Sequence, residues 1–214
     1  MPGAVVIVGT GAQAKYALEI FHLRQIPVRG LIALPGEEGR AGFDGAEIIG
    51  TLDRFPECYR EHGKPAVLLA MSNNSRKQEV CGVLAALAPA YARAIHPAAV
   101  IARTAEVGHG VIINAGAVVQ PFARIGNHVM LHAGAIVEHD CVVSDFANIA
   151  PHATLTGHVK VGRCSTVYAG AVIIPGVQVG DACVVGAGAV VLQDVDHGTT
   201  VAGVPARRLR ESQG

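Results

Sequence analysis

A histidine and an aspartate stand side by side in Val137-Glu138-His139-Asp140-Cys141. Imidazole titrates near neutral pH, and a carboxylate can hold it and raise its basicity, so the pair suits general-base work. In a straight strand the two side chains would point to opposite faces, so this chemistry needs a corner. The competing reading is a surface histidine beside a surface aspartate, in a chain with 10 histidines. A second stretch with chemical potential is Gly9-x-Gly11-x-x-Ala14, between a strand-like run and helical spacing. A tight glycine turn there aims helix N–H groups at a phosphate. A nicotinamide cofactor would also want an acidic residue closing the second strand, where this chain has Ala33-Leu34. A phosphate-bearing ligand of another kind, or a tight turn with no ligand, also fits these residues.

The corner that His139 and Asp140 need is written into the stretch around them. From Ile101 to Asp196 the chain reads as sixteen uninterrupted hexads. The first place of each is Val, Ile or Leu, and the fifth is Ala, Val, Cys or Ser. A period of six fits neither a helix nor one flat strand. It fits a chain that turns every six residues, closes a triangular coil every eighteen, and stacks coils at roughly 4.8 Å. In that frame His139 and Asp140 take the third and fourth places, at a corner, and Gly157 stacks directly over His139. His109 shares a column with Asn127, Asp145, Arg163 and Asp181, which reads as a solvated corner. His128 and His132 lack an acidic neighbour of that kind. His152 and His158 fall about one coil beyond His139 and are open to substrate or thioester contacts. Carbonic-anhydrase-like coils, which resemble these hexads, place two ligand histidines five residues apart. No pair here has that spacing, so no metal is expected.

The first hundred residues have another texture. Strands are expected at Ala4–Val8, Val28–Leu34, Ala66–Met71 and Ala92–Ile95. Helices are expected from Ala14 to Leu23, Leu52 to Arg60 and Ser75 to Leu87, with a glycine-rich loop over Pro35–Gly45. Alternation of this kind implies a small parallel sheet with helices on its faces. The expected organisation is an α/β domain over 1–96, coils over 97–198 and a capping tail over 199–214. Seventeen basic residues balance seventeen acidic ones, so no nucleic-acid surface is expected. Neither a signal peptide nor a bilayer-spanning run is apparent. Cys141 and Cys183 take fifth places and should face inward. The remaining cysteines show no paired spacing, which points to reduced thiols in a cytoplasm.

Taken in order, several segments resemble the sugar O- and N-acetyltransferases of the left-handed β-helix superfamily, in the branch with an α/β domain before the coils. They are Val5-Val6-Ile7-Val8-Gly9-Thr10-Gly11-Ala12-Gln13-Ala14-Lys15, Asn73-Asn74-x-Arg76, Ile95-His96-Pro97, Val137-Glu138-His139-Asp140-Cys141, the Gly157 turn and Ala202-Gly203-Val204-Pro205-Ala206-Arg207. The resemblance implies acetyl-CoA as co-substrate and a homotrimer whose grooves are walled by two subunits. It implies His139 as the base, Asp140 orienting it, and the Gly157 N–H steadying the acetyl carbonyl. Coenzyme contacts would come from around Asn148, Ala169 and Ala187, and acceptor contacts from Gly11, Ala12, Gln13, Ser72 and Asn73. The chain departs from its relatives at Gly11-Ala12-Gln13-Ala14-Lys15, where Gly-Gly-His-x-Lys is common. It departs again at Ala33-Leu34, where an Asp-Asp pair usually grips the nucleotide, and at Asn148, where a second histidine is common. The expected reaction is acetyl transfer to the amine of a nucleotide-linked 4-amino-4,6-dideoxy sugar. The alternatives are O-acetylation of a sialic-acid-like hydroxyl and a ligand-sensing coil scaffold without catalysis.

Overall fold

The computed structural model describes residues 3–37 and 39–209, so residues 210–214 of the expected capping tail lie outside the described residues. The chain forms two compact units. One runs up to Pro97 and includes His109–Ile112, and the other holds Ala98–Gly108 and everything from Ile113 onward. The short excursion of His109–Ile112 into the first unit was not foreseen. It follows from the Ala94 N–H donating to the Val111 carbonyl at 2.9 Å and from the stacking of Tyr91 on His109, centroids 5.3 Å apart.

In the first unit, β1 (Val5–Val8), β2 (Val28–Ala33), β3 (Ile48–Thr51) and β4 (Ala66–Leu69) form a parallel sheet in the order β3-β2-β1-β4. Helix α1 (Ala12–Leu23) buries Ala14, Ala17, Leu18 and Phe21, the stripe that helical spacing anticipates. Helices α2 (Phe55–Glu61) and α3 (Asn74–Leu84) contribute Phe55, Tyr59, Val80 and Leu84 to a core with Val6, Val8, Ile32 and Leu69. Strand β3 is absent from the sequence expectation. It is an edge strand, half-buried throughout, and it runs through Gly50, where a Cβ would press on Cys58 Sγ at 3.3 Å. Helix α2 begins at Phe55, later than Leu52, with proline in its first turn. Only Ala94–Ile95 of the Ala92–Ile95 segment is strand.

The second unit is the hexad coil. Two-residue strands pair in parallel with the strands eighteen residues away, as Ile136 with Thr154 and Asn148 with Thr166. The side chains of every first-place residue from Ile113 to Val191 are buried, and so is every fifth-place residue from Val111 to Val195. Ile101 and Val107, in the first coil, are only half-buried. The fourth place is left-handed in every turn from Gly110 to Gly188, whether glycine or not. The final strands, Thr200–Ala202 and Arg207–Arg208, pair antiparallel. Glycine at the second place has a different cause: at Gly162 a Cβ would run into the backbone of Gly180 and Asp181. Backbone cannot swing aside, so Gly162→Ala should lower stability by about 1–3 kcal/mol, read as a lower urea midpoint.

Candidate active site

The turn that carries His139 and Asp140 brings their side chains together. Asp140 is left-handed, φ 58°, a conformation that aspartate tolerates better than most residues. The His139 Nδ1–H donates to Asp140 Oδ2 at 2.8 Å, and the two side chains are 52% and 43% exposed. An ionised carboxylate only accepts, so this tautomer leaves the lone pair on Nε2. The pair is therefore an oriented, accessible proton acceptor.

Gly157 lies one coil further on. A Cβ there would sit 2.7 Å from both Cε1 and Nε2 of His139, so only glycine leaves room for the ring. The equivalent third-place N–H groups of Asn127 and Arg163 donate to Asp145 and Asp181 one coil beyond, each at 2.7 Å. Over Gly157 the next residue in the column is Pro175, which offers no side-chain acceptor. Among the described residues nothing accepts from the Gly157 N–H. One corner thus holds an imidazole acceptor and a backbone donor. His158 joins them, its ring edge-on to that of His139 with centroids 5.1 Å apart. His139, Asp140 and His158 present ligand-capable atoms within 4.8 Å of one another, all on exposed residues. The eighteen-residue register already stacks His158 over Asp140, and the structure adds the ring contact with His139.

The other expected contacts lie elsewhere on the coil. Ala169 follows Pro151 and Ala187 follows Ala169 up a different corner, linked by Gly170 N–H to Pro151 O at 3.0 Å and Gly188 N–H to Ala169 O at 2.9 Å. His152 belongs to that corner as well, against Gly134. Asn148 is buried on the strand Asn148–Ile149, and its Oδ1 accepts from His132 Nε2–H at 2.8 Å. The amide NH2 of Asn148 thereby remains the group for donation. The partner of His132 is sixteen residues away, so the neighbours of His132 in the sequence do not reveal it. Within one chain, Ala169 and Ala187 do not share a corner with His139. A concavity of about 620 Å³ runs along the face with the Glu106–Arg124 and Asp145–Arg163 ion pairs, and no histidine lines it.

In the first unit, Gly11, Ala12, Gln13, Ser72 and Asn73 line one cavity of about 220 Å³ at the start of α1. Gly9 makes the turn possible: φ is 109°, and a Cβ would meet the Ala70 carbonyl at 2.7 Å. Asn73 caps α3, its Oδ1 accepting from the Arg76 N–H at 2.9 Å. Glu37, Arg40 and Arg76 also line the cavity and were not anticipated. The only signal for the first two is a Glu and an Arg three residues apart in a loop that otherwise reads as glycine-rich.

The family description "bacterial transferase hexapeptide (six repeats)" matches residues 158–193. Comparison with curated proteins gives no match. Among solved structures, PerB from Caulobacter crescentus in complex with CoA and GDP-perosamine is 30% identical, with 97% of this chain and 98% of that one covered and a TM-score of 0.91. A mutant of GDP-perosamine N-acetyl transferase from the same organism, with CoA and GDP-perosamine, is 30% identical over 98% of both chains, TM-score 0.92. The acetyltransferase domain of PglB from Neisseria gonorrhoeae, with acetyl coenzyme A, is 29% identical, covering 98% of this chain and 100% of that one, TM-score 0.89. On this likeness along its whole length, together with the hexad coil and the α/β unit, the chain belongs to the hexapeptide-repeat sugar acetyltransferases, left-handed β-helix enzymes that draw on acetyl-CoA.

Proposed function

We propose that this enzyme transfers the acetyl group of acetyl-CoA to the amine of a nucleotide-linked amino sugar, of the 4-amino-4,6-dideoxy kind. The observation that carries the reading is the His139–Asp140 pair resting against Gly157. Support for the acceptor class comes from the relatives solved with CoA and GDP-perosamine. The amine nitrogen attacks the thioester carbonyl, and His139 Nε2 takes the proton that the nitrogen sheds. The Gly157 N–H donates to the oxyanion. Collapse breaks the C–S bond, and the imidazolium returns its proton to the departing CoA sulfur. Asp140 orients the ring throughout.

Direct attack fits the surroundings of the nearest thiol. Cys141 follows Asp140 but faces inward, donating to the Thr156 carbonyl at 3.0 Å. Burial pushes its pKa up to about 11, so it is a poor source of the thiolate a covalent intermediate would need.

In this reading residues 1–96 bind the nucleotide sugar, with Gly11, Ala12, Gln13, Ser72 and Asn73 around it. Residues 97–198 carry the chemistry and the coenzyme, with Asn148, Gly157, Ala169 and Ala187 as contacts, and 199–214 cap the coils. The separation of the His139 and Ala169–Ala187 corners within one chain supports a groove completed by a second copy, as in a trimer. All five cysteines are thiols, which accords with a cytoplasmic location, and no described helix is long and apolar enough to cross a membrane.

The test is thiol release from acetyl-CoA over a panel of amino and hydroxy sugars, with and without UDP or GDP attached. Turnover confined to nucleotide-linked amino sugars is expected. Turnover of hydroxyl acceptors alone would replace the reading with O-acetylation, and no turnover together with no acetyl-CoA binding would leave a scaffold.

A further inference from the structure

Two imidazoles and a carboxylate at the His139 corner make a donor set larger than acetyl transfer uses. His139, Asp140 and His158 each offer one ligand-capable atom, and the three atoms lie within 4.8 Å of one another. Imidazole nitrogen and carboxylate oxygen are donors that Zn2+ takes, at about 2.0–2.2 Å each. At those lengths, two donors on a tetrahedral ion stand roughly 3.3 Å apart. The cluster is therefore at most about 1.5 Å too wide along any edge. All three residues are exposed, so rotation of their side chains closes that gap.

The backbone holds the two histidines in register, because the His158 N–H donates to the His139 carbonyl at 3.0 Å. The charge at the corner favours a cation. Among the described residues no lysine or arginine pairs with Asp140, whose ion-pair partner is His139. There is also room for an ion and its waters. Gly176 follows His158 up the column, and a Cβ on it would have nothing within 4 Å. The two histidines are nineteen residues apart, on successive coils, so the five-residue spacing of carbonic-anhydrase-like coils does not bear on them.

We propose that this corner is an inhibitory zinc site, in which one Zn2+ held by His139, Asp140 and His158, with water completing its shell, silences the base. A neutral imidazole has a single ring lone pair to give. Given to the ion from Nε2, that pair can accept no proton from an amine. Given from Nδ1, it leaves the N–H on Nε2, and the base is lost just the same. Mg2+ and Ca2+ want oxygen donors and more of them, so the site discriminates against both. The ion has no part in the reaction, which runs without it. The inhibition rests on the reading of His139 as base given above, whereas the binding of zinc does not.

The experiment is calorimetric titration of the full-length, untagged protein with ZnCl2. It is paired with initial rates of acetylated product followed by chromatography, because free CoA thiol would itself take zinc in a thiol assay. Wild type should bind one ion per chain at this corner, and MgCl2 should give no binding there. His158→Asn should weaken zinc binding at least about tenfold, since loss of even a ligand's supporting partner is felt on that scale. Residue 158 is left-handed, φ 61°, which asparagine tolerates, and a thermal melt checks the fold. His139→Ala should weaken binding at least as far. Zinc should stop wild-type turnover over the concentrations at which calorimetry shows binding, and EDTA should restore it. In His158→Asn, measured against its own metal-free rate, inhibition should need about tenfold more zinc. Zinc affinity unchanged in both variants would put the ion on other side chains and overturn the proposal, as would the absence of saturable binding. Binding at the corner with turnover undiminished would overturn the inhibition. A protein that binds zinc in this pattern yet acetylates no amino sugar would sink the catalytic reading and leave the site standing.

Discussion

His139→Ala should lower kcat at least about a hundredfold, with the affinities for acetyl-CoA and for the nucleotide sugar close to wild type. A positioned general base contributes roughly two to four powers of ten, and a hundredfold corresponds to about 2.7 kcal/mol of transition-state stabilisation. The affinities should hold because the His139 side chain is half-exposed, and the bonds to it that position the ring come from Asp140. Steady-state kinetics with separate titrations of the two substrates makes the measurement. Turnover near normal would remove His139 from the chemistry. A loss appearing only in KM would make it a binding residue.

Gly157→Ala should abolish most of the activity while leaving the fold almost untouched. The added Cβ would meet His139 Cε1 and Nε2 at 2.7 Å, so either the ring or the coil must yield. The ring is the far end of a half-exposed side chain and yields at little cost in stability. It yields, however, by leaving the position that the Asp140 bond and the Gly157 surface together define. A misplacement of about 1 Å can cost a hundredfold in rate, so a drop in kcat of about tenfold to a hundredfold is expected, with a melting temperature within about 2 °C of wild type. Gly162→Ala is the contrasting case, since there the obstacle is backbone and the penalty falls on stability. Should Gly157→Ala melt early and keep its rate, Gly157 is a packing glycine and the proposed corner loses its second member.

The coil was readable in the sequence because its constraint repeats. Each inward first place and each small fifth place answers the same packing problem once per turn, and the period survives sixteen times over. Strand β3 was not readable, since an edge strand buried on neither face strongly, and with Gly50 inside it, carries no alternation. The stripe of α1 was legible for the same reason the coil was: its burial is periodic.

The site divides along similar lines. His139 and Asp140 are neighbours in sequence, and the hexad register alone puts them at a corner with Gly157 one coil over. The register could not say that Gly157 is glycine because the His139 ring rests on it, nor that among the described residues no other group accepts from its N–H. Those follow from distances between coils. His132 with Asn148 lies even further from view, joined across sixteen residues by a single 2.8 Å bond.

By itself, then, the sequence determined the coil, its register, the alternating character of the first hundred residues and the pairing of His139 with Asp140. All of these are local or periodic, and local or periodic constraints leave marks in residue order. Only the tertiary structure decided how Glu37 is used. A glutamate in a glycine-rich loop looks available to a ligand until the chain folds the loop against β2 and spends both its oxygens on Thr10, Leu34 and Arg40. Whether a charged group is free to bind depends on which donors reach it first, and that is settled by proximity between segments distant in the chain.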